Sequence, residues 1–403
     1  MEYNFFGQHV EPALLLFVPA YWLGAGPLFL MAAQNVIAVS AAVPLFYAAR
    51  RWGVAQWGAL ALAAAFLANP YLHRQLDFDF HTEVMIALPA FAAAWAISAG
   101  RPRLAVGLAL STLLLKEDAA LVALALGALL WWRGCRRPGL VVAGVAVTYA
   151  VVAVLVIMPL ARDGAPSDIV ERYGYLVDTQ SQANLLPDLL KQPWVIPQQL
   201  LKPEQLWTAA LLLAISAPLA VLRPWTLLLV APAMGLALLA THPAQKALEL
   251  HYSAGIIPIA VLANMAGLAR VSGARRRLLP GATLAAALVG FVFLSPIAPW
   301  NAEGTPPTEK HRAAVAEALA LVPGDEEVSV SAQSGLLSRL SQRRDAFEFP
   351  NRAEEADWIV VDQYGFRSSQ SLDAGFDAEL GELTQTHQRV FDKDGVQVFR
   401  RLE

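Results

Sequence analysis

Residues 104–132 read LAVGLALSTLLLKEDAALVALALGALLWW. Two apolar runs are divided by three consecutive ionisable residues, Lys116, Glu117 and Asp118. A helix that crosses a bilayer needs about 20 apolar residues. The stretch is therefore either one long helix with charges at its middle or a hairpin of two short arms. Arginines decide between them. Arg101 and Arg103 precede it, and Arg133, Arg136 and Arg137 follow. Short cytoplasmic loops are enriched in Lys and Arg, so both ends belong on the cytoplasmic side and the chain turns back at Lys116–Asp118.

Outward from this hairpin the same alternation continues. Further apolar runs lie near 27–49, 53–69, 80–99, 139–160, 205–222, 225–241, 252–269 and 279–298, and with 104–115 and 118–132 they give about ten membrane-crossing segments. The stretch 12–23, interrupted by Pro12 and Pro19, reads as interfacial or re-entrant. The other arginine groups, Arg50–Arg51, Arg223, and Arg270 with Arg275–Arg277, fall on the same side as the first. Composition agrees: 56% of the chain is hydrophobic and 16% charged, against roughly 25% charge in soluble domains. No basic stripe of the kind that binds nucleic acid is present. Cys135 is the only cysteine, so no intrachain disulfide forms. The expected architecture is an α-helical polytopic membrane domain, 1–299, followed by a small extracytoplasmic α/β domain, 300–403.

That second domain begins where the composition changes, at Asn301. Its expected elements are a helix over 308–321, strands over 328–331 and 356–362, a helix near 371–385, and strands near 388–392 and 395–400.

The side opposite the arginines collects the unusual polar residues. Ionisable groups in or beside spans cost ~2.5–3.5 kcal/mol on insertion scales, so chemistry is sought there first. In Asp77-Phe78-Asp79-Phe80-His81, an extended backbone points both aspartates and the histidine one way, whereas a helix groups Asp77 with His81. Either geometry can hold a divalent metal such as Mg or Mn or supply a general base. The competing reading is a solvated loop in which Asp79 caps the helix starting near Thr82. Lys116 can contact a phosphate while Glu117 or Asp118 serves as base; alternatively the three residues neutralise one another. His251-Tyr252, and His9 with Glu11, are substrate contacts or interfacial anchors. The loop 161–204 has the length of a lid or binding segment, and no residue in it stands out. No Walker loop, dinucleotide fingerprint, zinc spacing or nucleophile elbow occurs.

These residues, taken in order, carry a resemblance. His9-x-x-Pro12, Gln34, Asp79-Phe80-His81, Lys116-Glu117-Asp118, His251-Tyr252, Val328-Ser-Val-Ser-Ala332 and Ala356-Asp-Trp-Ile-Val-Val-Asp362 together resemble a prokaryotic membrane protein family catalogued as domain of unknown function 2079. That family looks like part of the GT-C superfamily of glycosyltransferases. The resemblance implies a GT-C-like bundle that transfers a sugar from a polyprenyl phosphate to an acceptor of unknown identity on the outer face. It also implies a base carried by an acidic residue of the first outer loop. This chain starts at what looks like the end of that loop, and the acidic residue is not found on it. Asp79, Asp118 and Glu117 then stand as catalytic candidates, with His81, Lys116, Asp77, His251, Tyr252 and His9 as substrate contacts. Asp77, Asp79 and His81 are the candidate metal ligands. The rival functions are a transporter or lipid flippase, and a non-catalytic scaffold that displays the C-terminal domain.

Overall fold

The apolar runs fold as helices cut to length by proline, glycine and polar residues. The computed structural model describes residues 4–164, 166–273, 275–301, 308–363, 380–381 and 383–402. Helices α1 (Pro27–Ser40) and α2 (Ala42–Arg51) join into one apolar helix of 25 residues. After α3 (Gln56–Leu67), Asn69 caps α4 (Pro70–Leu76). Its side chain accepts from Tyr71 N, and Pro70 takes the first helical position, where a missing N–H costs nothing. Then come α5 (Ala87–Ser98), α6 (Pro102–Ser111), α7 (Ala120–Trp132) and α8 (Arg136–Val152). The short α9 (Asp168–Tyr173) lies in the long loop and precedes α10 (Pro203–Ser216), α11 (Leu227–Leu238), α12 (Ile256–Leu268) and α13 (Arg275–Leu294).

Among the described residues two helices, Pro27–Arg51 and Arg136–Arg162, are long and apolar enough to cross a bilayer. Only 22% and 17% of their apolar windows are buried, which suits contact with lipid rather than the core of a soluble protein. The other apolar helices run 10–17 residues, short of the length a full crossing needs. The 12–23 stretch folds as a tight turn, Pro12–Leu16, and a five-residue helix, Val18–Trp22, with Leu15, Leu16, Trp22 and Leu23 exposed.

The chain does turn back at Lys116. Its backbone is extended, with φ −167° and ψ 159°, which ends one arm and begins the next. At 1.5 Å per residue, the 17 residues of α8 are spent alongside α7 and the Glu117–Ala119 turn, yet α6 packs on α8 as well as on α7. That is possible only if α6 folds back beside α7. Close backbone contact is built from small residues. A Cβ on Gly139 would stand 2.6 Å from the Gly127 carbonyl, and one on Gly267 would stand 1.9 Å from the Leu219 carbonyl.

Opposite ends of the helical unit gather opposite chemistry. At one end Arg133 lies over Trp52 and Arg223 over Trp132, with Trp52 and Trp225 both packed on Trp132. Three arginine-bearing loops therefore meet there. At the other end side chains of the 9–11, 81–83, 116–118 and 245–252 segments converge.

By its contacts the chain divides into two units, residues 1–24 with 29–303, and residues 25–28 with 304–403. In the second, α14 (Glu309–Leu321) is capped by Thr308, and five strands among the described residues form one mixed sheet. Strands β1 (Val330–Ala332), β2 (Ala346–Glu348), β3 (Trp358–Asp362), β4 (His387–Lys393) and β5 (Val396–Arg401) pair in the order β2-β1-β3-β5-β4. β1 runs parallel to β2 and β3, and β5 runs antiparallel to β3 and β4. β3 is central, which is why Ile359, Val360 and Val361 form an unbroken apolar run. β2 is not legible in the sequence, whereas Ser334-Gly335 after the Val328 strand reads as a helix N-terminus and starts α15 (Ser334–Leu340). Most of the helix expected near 371–385 lies outside the described residues.

Candidate functional site

The site is assembled from four short breaks in helical structure, where side chains leave the apolar layer. At the hairpin turn Lys116 is 6% exposed, and its Nζ donates to Glu83 Oε1 at 2.6 Å. Glu83, 5% exposed, sits in the turn Thr82–Ile86 that leads into α5. His251 Nε2 stands 3.6 Å from the same oxygen, Glu83 Oε1. The His251 ring stacks on His81 with centroids 3.8 Å apart, and Phe78 stacks on His81 in turn. His81 is oriented by its backbone, whose N–H donates to the buried Gln34 at 2.6 Å.

A second layer supports the first. Glu117 accepts from Val10 N at 2.9 Å and pairs with His9 Nδ1 at 3.0 Å. The Thr82 hydroxyl donates to Glu11 at 2.8 Å and also contacts the Leu115 carbonyl. The N-terminal segment is thus fastened to both the hairpin turn and the start of α5.

Glu11 is buried in this layer. Burial first, then the negative charge of Glu83, push its carboxyl up to about 7, against the pull of Lys116, the Thr82 hydroxyl and His9. Between its ordinary value of 4.5 and about 7 the folded protein keeps a proton that the unfolded chain has released. Stability therefore falls as pH rises through that window and levels off above it. The full swing is roughly 3 kcal/mol, at about 1.4 kcal/mol per pH unit. Glu11→Gln is expected to flatten the slope, read as melting temperature in detergent across the window. Identical slopes in both proteins would refute the burial argument.

One pocket opens on this cluster. Its polar lining is Glu83, Lys116, Asp118, Gln245, His251 and Tyr252, and its apolar wall includes Leu121, Val122, Ala233, Leu236, Ala237 and Ile256. Asp118 is exposed and lines the pocket. Two buried polar atoms of this lining have no hydrogen-bond partner among the described residues, Glu83 Oε2 and His251 Nδ1, whereas buried polar atoms are normally paired.

The sequence candidates separate in the folded chain. Lys116, Asp118, His251 and Tyr252 line the pocket; His81 packs on His251; Glu117 and His9 hold the turn from behind. Asp77 and Asp79 do not join them: both are exposed and neither lines the pocket. Asp77 ends α4, and the backbone then bends, so neither the uniform strand nor the uniform helix considered for 77–81 forms. Asp79 does not cap the following turn, because His81 occupies that position and makes no side-chain cap bond. Nor do the described residues hold any group of three or more His, Cys, Asp or Glu side chains arranged to bind a metal ion, so Asp77, Asp79 and His81 form no such centre. Glu83 was overlooked, although a signal existed. It and His81 are the only ionisable residues of the 80–99 run, and a charge placed there is costly unless it is used or paired.

A family model described as "Predicted membrane protein (DUF2079)" matches residues 1–397. No curated protein and no solved structure matches the chain. The match spans both units and every residue of the pocket, and the chain belongs to the DUF2079 family of predicted membrane proteins.

Proposed function

We propose that this protein is a GT-C-like membrane glycosyltransferase that moves a sugar from a polyprenyl phosphate to an acceptor hydroxyl. The observation that supports this most is the pocket itself: an accessible carboxylate, Asp118, beside a buried Lys116–Glu83–His251 cluster and against an apolar wall. A lipid-linked sugar has matching parts, an apolar chain, an anionic group and a polar ring. Asp118 takes the proton of the acceptor hydroxyl as that oxygen attacks the anomeric carbon. The bond from the anomeric carbon to the phosphate oxygen breaks, its electron pair leaves with the polyprenyl phosphate, and the anomeric configuration inverts. Lys116 and Glu83 compensate one another and fix the pocket floor. His251, with Nδ1 unpartnered, is placed to hydrogen-bond the sugar.

The reading includes the topology argued from the arginines. About ten segments enter or cross the membrane, several of them as short helices that end within it. The arginine–tryptophan end faces the cytoplasm, and the pocket and C-terminal unit face outward. The test is transfer by the full chain in liposomes, with polyprenyl-phosphate hexose labelled in the sugar and an envelope extract as the source of acceptor. Wild type should move label out of the donor-lipid fraction and leave polyprenyl phosphate behind. A wild type that moves none, while folded, favours the scaffold. One that carries intact donor across the bilayer favours the flippase.

A further inference from the structure

The long loop 161–204 brings a cation against two residues of the pocket lining. α9 is fastened to the end of α11 by four bonds: Thr241 N donates to the Arg172 carbonyl at 3.0 Å, the Thr241 hydroxyl to the Glu171 carbonyl at 3.2 Å, the Tyr173 hydroxyl to Leu236 O at 3.1 Å, and the Tyr175 hydroxyl to Leu239 O at 2.9 Å. The Arg172 side chain is thereby carried onto two residues that line the pocket. Its Nη1 donates to Gln245 Oε1 at 2.6 Å, and its guanidinium lies 5.8 Å from the centre of the Tyr252 ring. Gln245 is itself locked, its Nε2 donating to the Tyr173 hydroxyl at 2.9 Å. Burial pushes that hydroxyl up to about 12, against the opposing pull of the Gln245 hydrogen bond and of Arg172, so it remains a donor to Leu236.

Charge then separates Arg172 from Lys116. Lys116 is paired with buried Glu83, whereas among the described residues no carboxylate lies within ion-pair distance of Arg172. Glu171, its acidic neighbour in sequence, is exposed. A guanidinium presents five N–H donors in a planar fork that suits a phosphate, and only one is used by Gln245. The neighbouring His242 keeps a buried Nδ1 without a partner. An anion at this rim would meet a half-used guanidinium on one side and the apolar wall on the other.

We infer that Arg172, delivered by the 161–204 loop and held by Gln245 over Tyr252, binds the phosphate group of the pocket's ligand. The inference rests on the lipid-donor reading for the source of that phosphate, and inorganic phosphate is the other source. Binding to the detergent-solubilised full chain is measured with three probes: a polyprenyl monophosphate without sugar, the corresponding polyprenol, and inorganic phosphate. Wild type is expected to bind the polyprenyl phosphate best. Arg172→Gln is expected to weaken that binding about 10- to 100-fold, the worth of one hydrogen bond to a charged group, and to leave polyprenol binding unchanged. Gln245→Glu preserves shape but places a carboxylate on Arg172, and the same loss is expected. This variant decides the matter if Arg172→Gln does not fold.

Unchanged affinity in a folded variant overturns the role of Arg172 while leaving the transferase reading intact. A wild type that binds no polyprenyl phosphate overturns both. Arg172-dependent binding of inorganic phosphate as tight as that of the lipid supports the anion site and ends the lipid-donor reading.

Discussion

Replacing Lys116 by methionine is expected to destabilise the helical unit by about 3–5 kcal/mol, the usual cost of leaving one member of a buried ion pair alone. The lysine stem and ammonium are 6% exposed and the partner Glu83 is 5% exposed, so neither charge can turn to water. Methionine keeps the volume and removes the charge, which leaves the buried Glu83 carboxylate without its ammonium partner and beside the imidazole of His251, 3.6 Å away. Glu83→Gln should cost a similar amount from the other side. The double variant Lys116→Met, Glu83→Leu removes the uncompensated charge and should regain most of the stability, because a buried pair contributes little over an apolar replacement. Thermal unfolding in detergent measures all three. Were Lys116→Met to melt with the wild type, the pair would not be a structural unit, and the lysine would be free to bind a ligand.

The second large effect concerns the two aspartates that sequence reasoning could not rank. Asp118→Asn is expected to lower sugar transfer about 10²- to 10⁴-fold, the range for loss of a general base. Its melting temperature should stay near that of the wild type, because Asp118 is exposed and keeps its shape as asparagine. Asp79→Asn should transfer sugar at close to the wild-type rate, since Asp79 lies outside the pocket lining. Equal loss in both would place the reaction nearer the 77–81 segment, and retention in both would remove the aspartates from the chemistry.

Most helices and four of the five described strands were legible because burial leaves a local trace. Apolar runs, arginine clusters and proline breaks act over a few residues, and each can be read in order along the chain. The turn at Lys116 followed from charge placement alone. So did the central strand β3, from Ile359-Val360-Val361. The shortness of most helices was harder to read, because a run of apolar residues near 20 does not reveal where Asn69-Pro70 or Gly100 will end a helix. The site was half legible. Lys116, Asp118, His251 and Tyr252 were chosen because charge and aromatic polarity are rare in such runs. Asp77 and Asp79 stand out for the same reason, yet they are exposed and lie outside the pocket lining.

By itself, then, the sequence determined that this is a membrane protein, the hairpin, and the end of the bundle where polar chemistry collects. These depend on transfer of side chains between water and an apolar medium, which is a property of each residue and its near neighbours. Only the tertiary structure decided the partners: Lys116 with Glu83, His81 on His251, Glu117 with His9, and Arg172 on Gln245. Glu117 and His9 are 108 positions apart, and Arg172 and Gln245 are 73 apart. Such pairings are set by how helices pack, at contacts as close as Gly139 on Gly127. A charge in a one-dimensional pattern has a cost but no direction until packing gives it a neighbour.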